Sequence, residues 1–147
     1  MFGATTDQPR LEWSWAEERL VAADMYWVVP VGGRPPRPRP VWGVWVDERL
    51  HLSIGSPGVK RLLDAEPAVT VHLDSSLDVV IIEGSVTGPT SDRALVAAYD
   101  EKYEWHYDLD QYGPLTTVQP HSVLAWRAVG PAGRDGFERV GRWRLEP

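Results

Sequence analysis

The stretch from Leu50 to Leu63 reads LHLSIGSPGVKRLL, and its period changes halfway. Leu50, Leu52 and Ile54 alternate with His51 and Ser53, the period-two pattern of a half-buried strand, until Gly55 breaks it. Ser56 followed by Pro57 opens a helix. The serine side chain accepts from the free N–H groups of the first turn, and proline's fixed φ suits the first helical position. Gly58 leaves that turn without a side chain, so a ligand can approach the backbone closely, and Lys60 and Arg61 add two cations within a turn of it. Cations at a helix N-terminus oppose the macrodipole, and a bound anion such as phosphate would offset them. Taken alone, the stretch fits a phosphate site and a solvated basic turn equally well.

Upstream, Val41 to Val46 (VWGVWV) is apolar on both faces and predicts a strand buried on both sides. Gly43 within it marks either a bulge or a place where something flat lies against the backbone. Asp47 and Glu48 turn this strand into the one from Leu50. Before it, the arm Gly32 to Pro40 (GGRPPRPRP) links to a further strand, Met25 to Val31, and its prolines hold it extended. Lying between two strands, it reads as a stiff hairpin arm more readily than as a proline-rich ligand for a recognition domain. Arg34, Arg37 and Arg39 are then either a solvated edge or a second set of anion contacts beside Lys60. Ser14-Trp15-Ala16-Glu17 matches a capping box and predicts a helix to about Ala23. Residues 1–12 read as a mobile tail and residues 13–147 as a single domain.

Downstream, Pro67 ends the helix, and strands follow at Val69 to Leu73 and Val79 to Val86 around the Ser75-Ser76 turn. Pro89 and Ser91-Asp92 start a second helix, with Leu95, Ala98, Tyr99, Lys102 and Tyr103 on one face. Tyr107 to Pro114 reads as an irregular link, Thr116 to Gln119 as a lead into Pro120, and Val123 to Val129 as a core strand. Gly130 to Gly136 reads as a loop and Phe137 to Leu145 as an edge strand. The sum is a mainly β domain of six or seven mostly antiparallel strands with flanking helices. Strand–helix alternation is not sustained, so a small barrel suits it better than a doubly wound sheet.

Composition removes whole classes of chemistry. A length of 147 residues with 43 % hydrophobic content supports one core. A net charge of -6 argues against a general nucleic-acid binder. The absence of Cys rules out disulfides, thiolate metal sites and a cysteine nucleophile. Ser56 lacks the first glycine of a nucleophile elbow, and Pro57 after it supplies no oxyanion N–H. His51, His72, His106 and His121 are scattered without metal-ligand spacing. The opening MFGATTDQPR has no apolar segment of a signal peptide, and no apolar run reaches membrane-spanning length, so the expectation is a cytoplasmic protein with no membrane contact. Chemistry then has to come from a bound cofactor. Eight Trp suggest a cleft or subunit interface lined with rings.

Tyr26-Trp27-Val28-Val29, the run Arg37-Pro38-Arg39-Pro40-Val41-Trp42-Gly43-Val44-Trp45, Leu52-Ser53-Ile54-Gly55-Ser56 with Lys60, and Val79 to Gly84 together resemble the pyridoxamine 5′-phosphate oxidase-like, flavin-binding split-barrel family. Tyr99 to Tyr103 and Val118-Gln119-Pro120 with Ala125-Trp126 resemble its actinobacterial branch, and the likeness runs from about Trp13 to Val129. The resemblance implies a split β-barrel homodimer with its cofactor at the subunit interface, a redox role and a small-molecule substrate. It implies FMN as cofactor, or a deazaflavin (coenzyme F-420) in some branches. By position, it implies that Arg39 and Lys60 hold the cofactor phosphate, with Arg37, Ser56 and Arg61 nearby. Val41 and Trp42 would line the ring, with Ser53 and Ile54 on the adjoining strand. Gly58 and Val59 stand where the family's Ser-Arg-Lys motif has its serine and arginine, and Val79 stands in place of a cofactor-contacting glutamine. A non-enzymatic barrel holding a flavin, haem or other planar ligand is the remaining alternative. Separately, Trp42 and Trp45 fit filling the core and the dimer interface as well as they fit lining a cofactor.

Overall fold

The computed structural model describes residues 10–146. Their seven strands are β1 (Tyr26–Pro30), β2 (Arg39–Val46), β3 (Arg49–Ser53), β4 (Ala68–Leu73), β5 (Asp78–Thr90), β6 (Leu115–Ala128) and β7 (Phe137–Arg144). Four helices join them: α1 (Trp13–Ala22), α2 (Pro57–Ala65), α3 (Arg93–Tyr103) and the single turn α4 (Leu109–Tyr112). The strands pair antiparallel in the order β3-β2-β1-β4-β5-β6-β7, and β3 also pairs with β6. That last pairing closes six strands into a barrel and leaves β7 as an added edge. β6 gives one edge to β5 along its length and divides the other between β3 and β7. The split barrel expected from the sequence is thus the observed architecture.

Alternation does the work inside. Val69, Val71 and Leu73 of β4, Val80 and Ile82 of β5, and Val123 and Ala125 of β6 point inward and are buried. Their partners in sequence point out of the pleat. α1 closes one end of the barrel with Ala16 and Leu20, and α2 packs Val59 and Leu63 into the same core. β2 is buried on both sides, because Trp45 faces the core while Val44 packs with Tyr99 of α3 and Leu115.

Several local expectations are corrected. The capping box at Ser14 does not form: α1 starts at Trp13, Glu12 is its N-cap without a side-chain bond, and Ser14 lies inside the helix. Trp13 sets this start by packing between Trp45 and Trp143, with ring centroids 6.3 and 5.2 Å away. Glu17 is then free to accept from the Trp45 indole N–H at 3.1 Å. Of the expected tail, residues 1–9 lie outside the described residues, whereas Leu11 is 5 % exposed and belongs to the core. Pro89 remains in β5 and Asp92 caps α3, accepting from the Ala94 and Leu95 amides. The link at 107–114 contains α4, and Pro120 sits within a continuous β6.

Gly43 is neither a bulge nor a platform for a ligand. The β2–β3 register runs through it unbroken, and a Cβ there would stand 2.6 Å from the Leu52 side chain and 2.9 Å from the His51 carbonyl oxygen. Its peptide groups instead anchor α3. The Tyr103 hydroxyl accepts from the Gly43 N–H at 3.0 Å, with the Gly43 and Asp24 carbonyl oxygens each 2.9 Å from it as acceptors. Lys102 Nζ donates to the Gly43 carbonyl at 2.8 Å and to the Tyr26 hydroxyl at 2.9 Å, and Tyr26 donates in turn to the Leu20 carbonyl. The ammonium also lies 4.7 Å from the centre of the Tyr26 ring and 5.0 Å from that of Tyr103. One lysine therefore ties α3 to β1 and β2.

Two expectations follow from these contacts. At the β5–β6 irregularity, where Glu83 pairs with Ser122 and Gly84 with Pro120, a Cβ on Gly84 would overlap the Gln119 carbonyl. Gly84→Ala should therefore lose on the order of 1–3 kcal/mol of stability by urea unfolding. Burial pulls the Lys102 ammonium down to about 8, against its ordinary 10.5. The unfolded chain then binds more protons than the folded one between these values, so Lys102 makes stability rise with pH from about 8 toward 10. Above 10 the buried Tyr26 and Tyr99, whose phenols titrate high, work the other way. Urea midpoints at pH 8, 9 and 10 should climb in the wild type relative to Lys102→Met.

Candidate functional site

The site starts at the end of β3. Ile54 is anchored in the core, and Ser56 caps α2 from an extended conformation, its Oγ accepting from the Val59 N–H at 3.3 Å. Pro57 has no N–H to offer, and the Lys60 N–H bonds the Ser56 carbonyl at 3.1 Å. The Gly58 N–H is left as the first-turn donor with no partner among the described residues.

Cations gather around Gly58. A Cβ on Gly58 would stand 3.8 Å from Ser56 Oγ, 3.9 Å from a guanidinium nitrogen of Arg37 and 4.0 Å from one of Arg61. Among the described residues both ion pairs belong to Arg19, so no described carboxylate neutralises Arg37 or Arg61. A hydroxyl, a free amide and two unpaired guanidiniums around a glycine form the donor set that a phosphate requires. Lys60 does not join them. It lines a separate cleft of about 160 Å³ with Leu63, Asp64, Val86 and Thr116. The helical period explains this, because Gly58 and Arg61 are three apart on one face while Lys60 shares the other with Leu63 and Asp64.

From Ser56 a cleft of about 510 Å³ runs along the outside of the barrel. Arg39, Pro40, Val41 and Trp42 of β2 form one side, and Ser53 to Ser56 the floor. The opposite wall is aromatic: Tyr99 of α3, then Trp105, Tyr107 and Tyr112 from the strap that follows it. Trp42 is held by a parallel stack on Tyr103, centroids 4.5 Å apart at 4°, and meets Trp105 edge-on at 88°. Tyr99 packs edge-on against Tyr107, which contacts Tyr112 at 5.6 Å. Asp100 fixes the strap by accepting from the Tyr107 N–H at 2.8 Å, and the Tyr107 hydroxyl donates to the Gly113 carbonyl at 2.9 Å.

Electrostatically the two ends differ. Burial pushes the Tyr99 phenol up to about 12, with a hydrogen bond to Ser53 holding back part of the rise. Burial raises Tyr107 as well, again with a hydrogen bond to Ser53 working against it. Both phenols are neutral donors at physiological pH, so this wall is uncharged while the Gly58 end is cationic.

Of the residues singled out in the sequence, Arg39, Val41, Trp42, Ser53, Ile54 and Ser56 line the cleft, Arg37 and Arg61 converge at its end, and Lys60 is turned away. Trp105, Tyr107 and Tyr112 were missed as site residues. Their signal is density: the five aromatic residues from Tyr99 to Tyr112 run from the end of the second helix into the segment that reads as an irregular link.

No family model and no curated protein matches the chain. Solved structures do. An F420 reductase superposes with a TM-score of 0.57 at 19% identity, covering 72% of this chain and 94% of its own. An FAD-binding protein from Mesorhizobium loti gives 0.58 at 14% identity, over 77% and 92% of the two chains. A Clostridium acetobutylicum protein related to general stress protein 26, of the pyridoxinephosphate oxidase family, gives 0.60 at 12% identity over 92% and 97%. Likeness at these identities speaks for architecture, and it agrees with the strand pairing: the chain has the split-barrel fold of the pyridoxamine 5′-phosphate oxidase-like structures.

Proposed function

We propose that the protein is an oxidoreductase that binds FMN by its phosphate in this cleft and acts on a small molecule. The observation that carries the reading is the convergence of Ser56 Oγ, Arg37 and Arg61 around Gly58, beside a cleft lined with rings. Its volume lies inside the roughly 300–1,000 Å³ of ligand pockets. A bound FMN supplies the hydride chemistry that no side chain here offers. The chain's part is placement. Arg37, Arg61 and Ser56 hold the phosphate, and Arg39 adds charge along β2. Val41 and Ile54 give an apolar surface, and Trp42, locked on Tyr103, excludes water from it. The FAD-binding and F420 reductase neighbours support a flavin-type cofactor.

A second reading is a reductase using the deazaflavin coenzyme F-420. Arg37, Arg39 and Arg61 together carry more charge than one phosphate needs, which suits a longer anionic tail. In either case we infer a homodimer with the cofactor at the subunit interface. The outward side chains Val79 and Ile81 of β5 lie opposite Trp126 and Leu124 of β6, all half-buried, in an apolar face that a second copy would cover. Glu83 shares a groove beside that face with Arg142 and Arg144, giving charges of both signs for a twofold contact.

Titration with FMN, riboflavin and coenzyme F-420, followed by cofactor fluorescence, tests the reading. FMN should bind at micromolar concentration or tighter, riboflavin at least tenfold more weakly. Arg37→Ala and Arg61→Ala should each cost about tenfold or more, as charged hydrogen bonds are worth about 1.5–3 kcal/mol. Lys60→Ala should change binding less than threefold. Equal affinity for FMN and riboflavin, or none for either, overturns the phosphate site, and preference for F-420 selects the second reading. Sedimentation of the same samples should give a dimer that Ile81→Lys dissociates.

A further inference from the structure

The hydrogen bonds of residues 104–113 close almost entirely on themselves. The Asp108 side chain accepts from the Asp110 and Gln111 amides, its carbonyl from the Tyr112 amide, and the Leu109 carbonyl from the Gly113 amide. The Tyr107 hydroxyl donates to the Gly113 carbonyl and ties the two halves of the segment together. Two further bonds, from the Trp105 N–H to the Asp100 carbonyl and from the Tyr107 N–H to the Asp100 carboxylate, fasten it to the end of α3. Among the described residues, none of its backbone groups bonds to a strand. Its polar tie to the barrel is the hydrogen bond between Tyr107 and Ser53.

The two ends of the segment are turned. Glu104 is left-handed, with φ 51°, where the chain leaves α3, and Gly113 has φ 77° where it returns toward β6. A few residues at element ends are where a chain absorbs the φ/ψ change of a moving loop. Between them no residue is buried, and Trp105 and Tyr112 are 45 % and 46 % exposed. Tyr107 packs against the small cluster of Val44, Tyr99 and Leu115, and Trp105 meets Trp42 edge-on with centroids 6.0 Å apart. A segment bonded to itself, exposed to water and docked by two rings opens as one piece at low cost. Its rings are nonetheless the aromatic wall of the cleft.

We propose that residues 104–113 are a gate on the cleft, shut in this structure by Tyr107 and opening about Glu104 and Gly113. What passes the gate is the cofactor, so the inference rests on the cofactor reading and deepens it. The phosphate donors stand on α2 and on the arm before β2 and stay in place as the gate moves. Asp100 is then a positioning residue, because it lies outside the cleft lining and acts through the Tyr107 amide.

Relaxation-dispersion NMR of the free protein and stopped-flow FMN fluorescence test this on the wild type, Asp100→Ala, Asp100→Asn and Tyr107→Phe. In the free protein the Trp105 indole and the amides of Tyr107, Gln111 and Tyr112 should share one exchange rate on the microsecond-to-millisecond scale, with the Val96 and Ala97 amides of α3 quiet. Asp100→Ala should raise the open population at least threefold. Tyr107→Phe keeps the ring, loses the tie to Ser53 and should increase exchange in the same signals. A gate limits entry and exit alike, so Asp100→Ala should speed FMN association and dissociation together by at least threefold while Kd stays within twofold. Asp100→Asn retains an acceptor oxygen and should stay near the wild type in both measurements. A tenfold weaker Kd in Asp100→Ala that comes from dissociation alone overturns the gate, since the segment is then a fixed binding wall. FMN binding to a protein whose strap signals are quiet in every variant also overturns it and leaves the cofactor reading standing. A moving strap in a protein that binds neither FMN nor coenzyme F-420 upholds the opening motion and removes the cofactor.

Discussion

Leu50 opposite Val118, His51 opposite Thr117 and Leu52 opposite Thr116 are the pairs through which β3 reaches β6 and closes the barrel. The seam carries its own polar bond, since His51 Nδ1 and Thr117 Oγ1 lie 2.9 Å apart and both residues are buried. Burial holds the imidazole below its ordinary range, so a neutral ring fills the seam. Closure fixes where β3 ends, and that end is the start of the site. Trp42 pairs with Ser53 across β2 and β3, so one register sets the ring beside the floor that leads to the cap of α2. Were β3 to slip by one residue, Leu50 and Leu52 would face outward and Ser53 would leave the cleft.

The second constraint is the attachment of α3. Gly43 has no side chain, Leu52 and Tyr26 fill the space against it, and its peptide groups are taken by Tyr103 and Lys102. Those two residues hold the helix whose continuation supplies the aromatic wall. Tyr103 acts twice, bonding Gly43 through its hydroxyl and stacking under Trp42 with its ring. The cleft is therefore built from contacts made for the fold, and the ring that borders it is oriented before any ligand arrives. That pre-orientation lowers the entropic cost of binding a flat molecule.

Much of this was legible in the chain. The change of period at Gly55, the Ser56-Pro57 start and the doubly apolar β2 each follow from local physics, and each is observed. So are the inward sides of β4 and β5, which alternation alone defines. What could not be read depends on distant partners. Ser14 has every local feature of a cap, yet Trp13 finds Trp45 and Trp143 and carries the helix start past it. Lys60 has the right charge at the right distance along the chain, but helical phase points it to Asp64 instead of the Gly58 side. Gly43 suggests open space in sequence and is crowded in three dimensions. The aromatic strap carries no period of its own, so its rings become a wall only once α3 is docked.

The central claim is that one cleft holds a phosphate over Gly58 and a flat ring against Trp42. Two-dimensional ¹⁵N–¹H spectra of the protein titrated with FMN test it directly, because the Gly58 amide and the separate tryptophan indole N–H signals report both ends at once. The account predicts that Gly58, Trp42 and Trp105 shift most while the indoles of Trp27 and Trp143, outside the cleft, stay in place. Largest shifts around Thr70, Glu83 and His121, or a Gly58 amide unmoved at saturation, would contradict it.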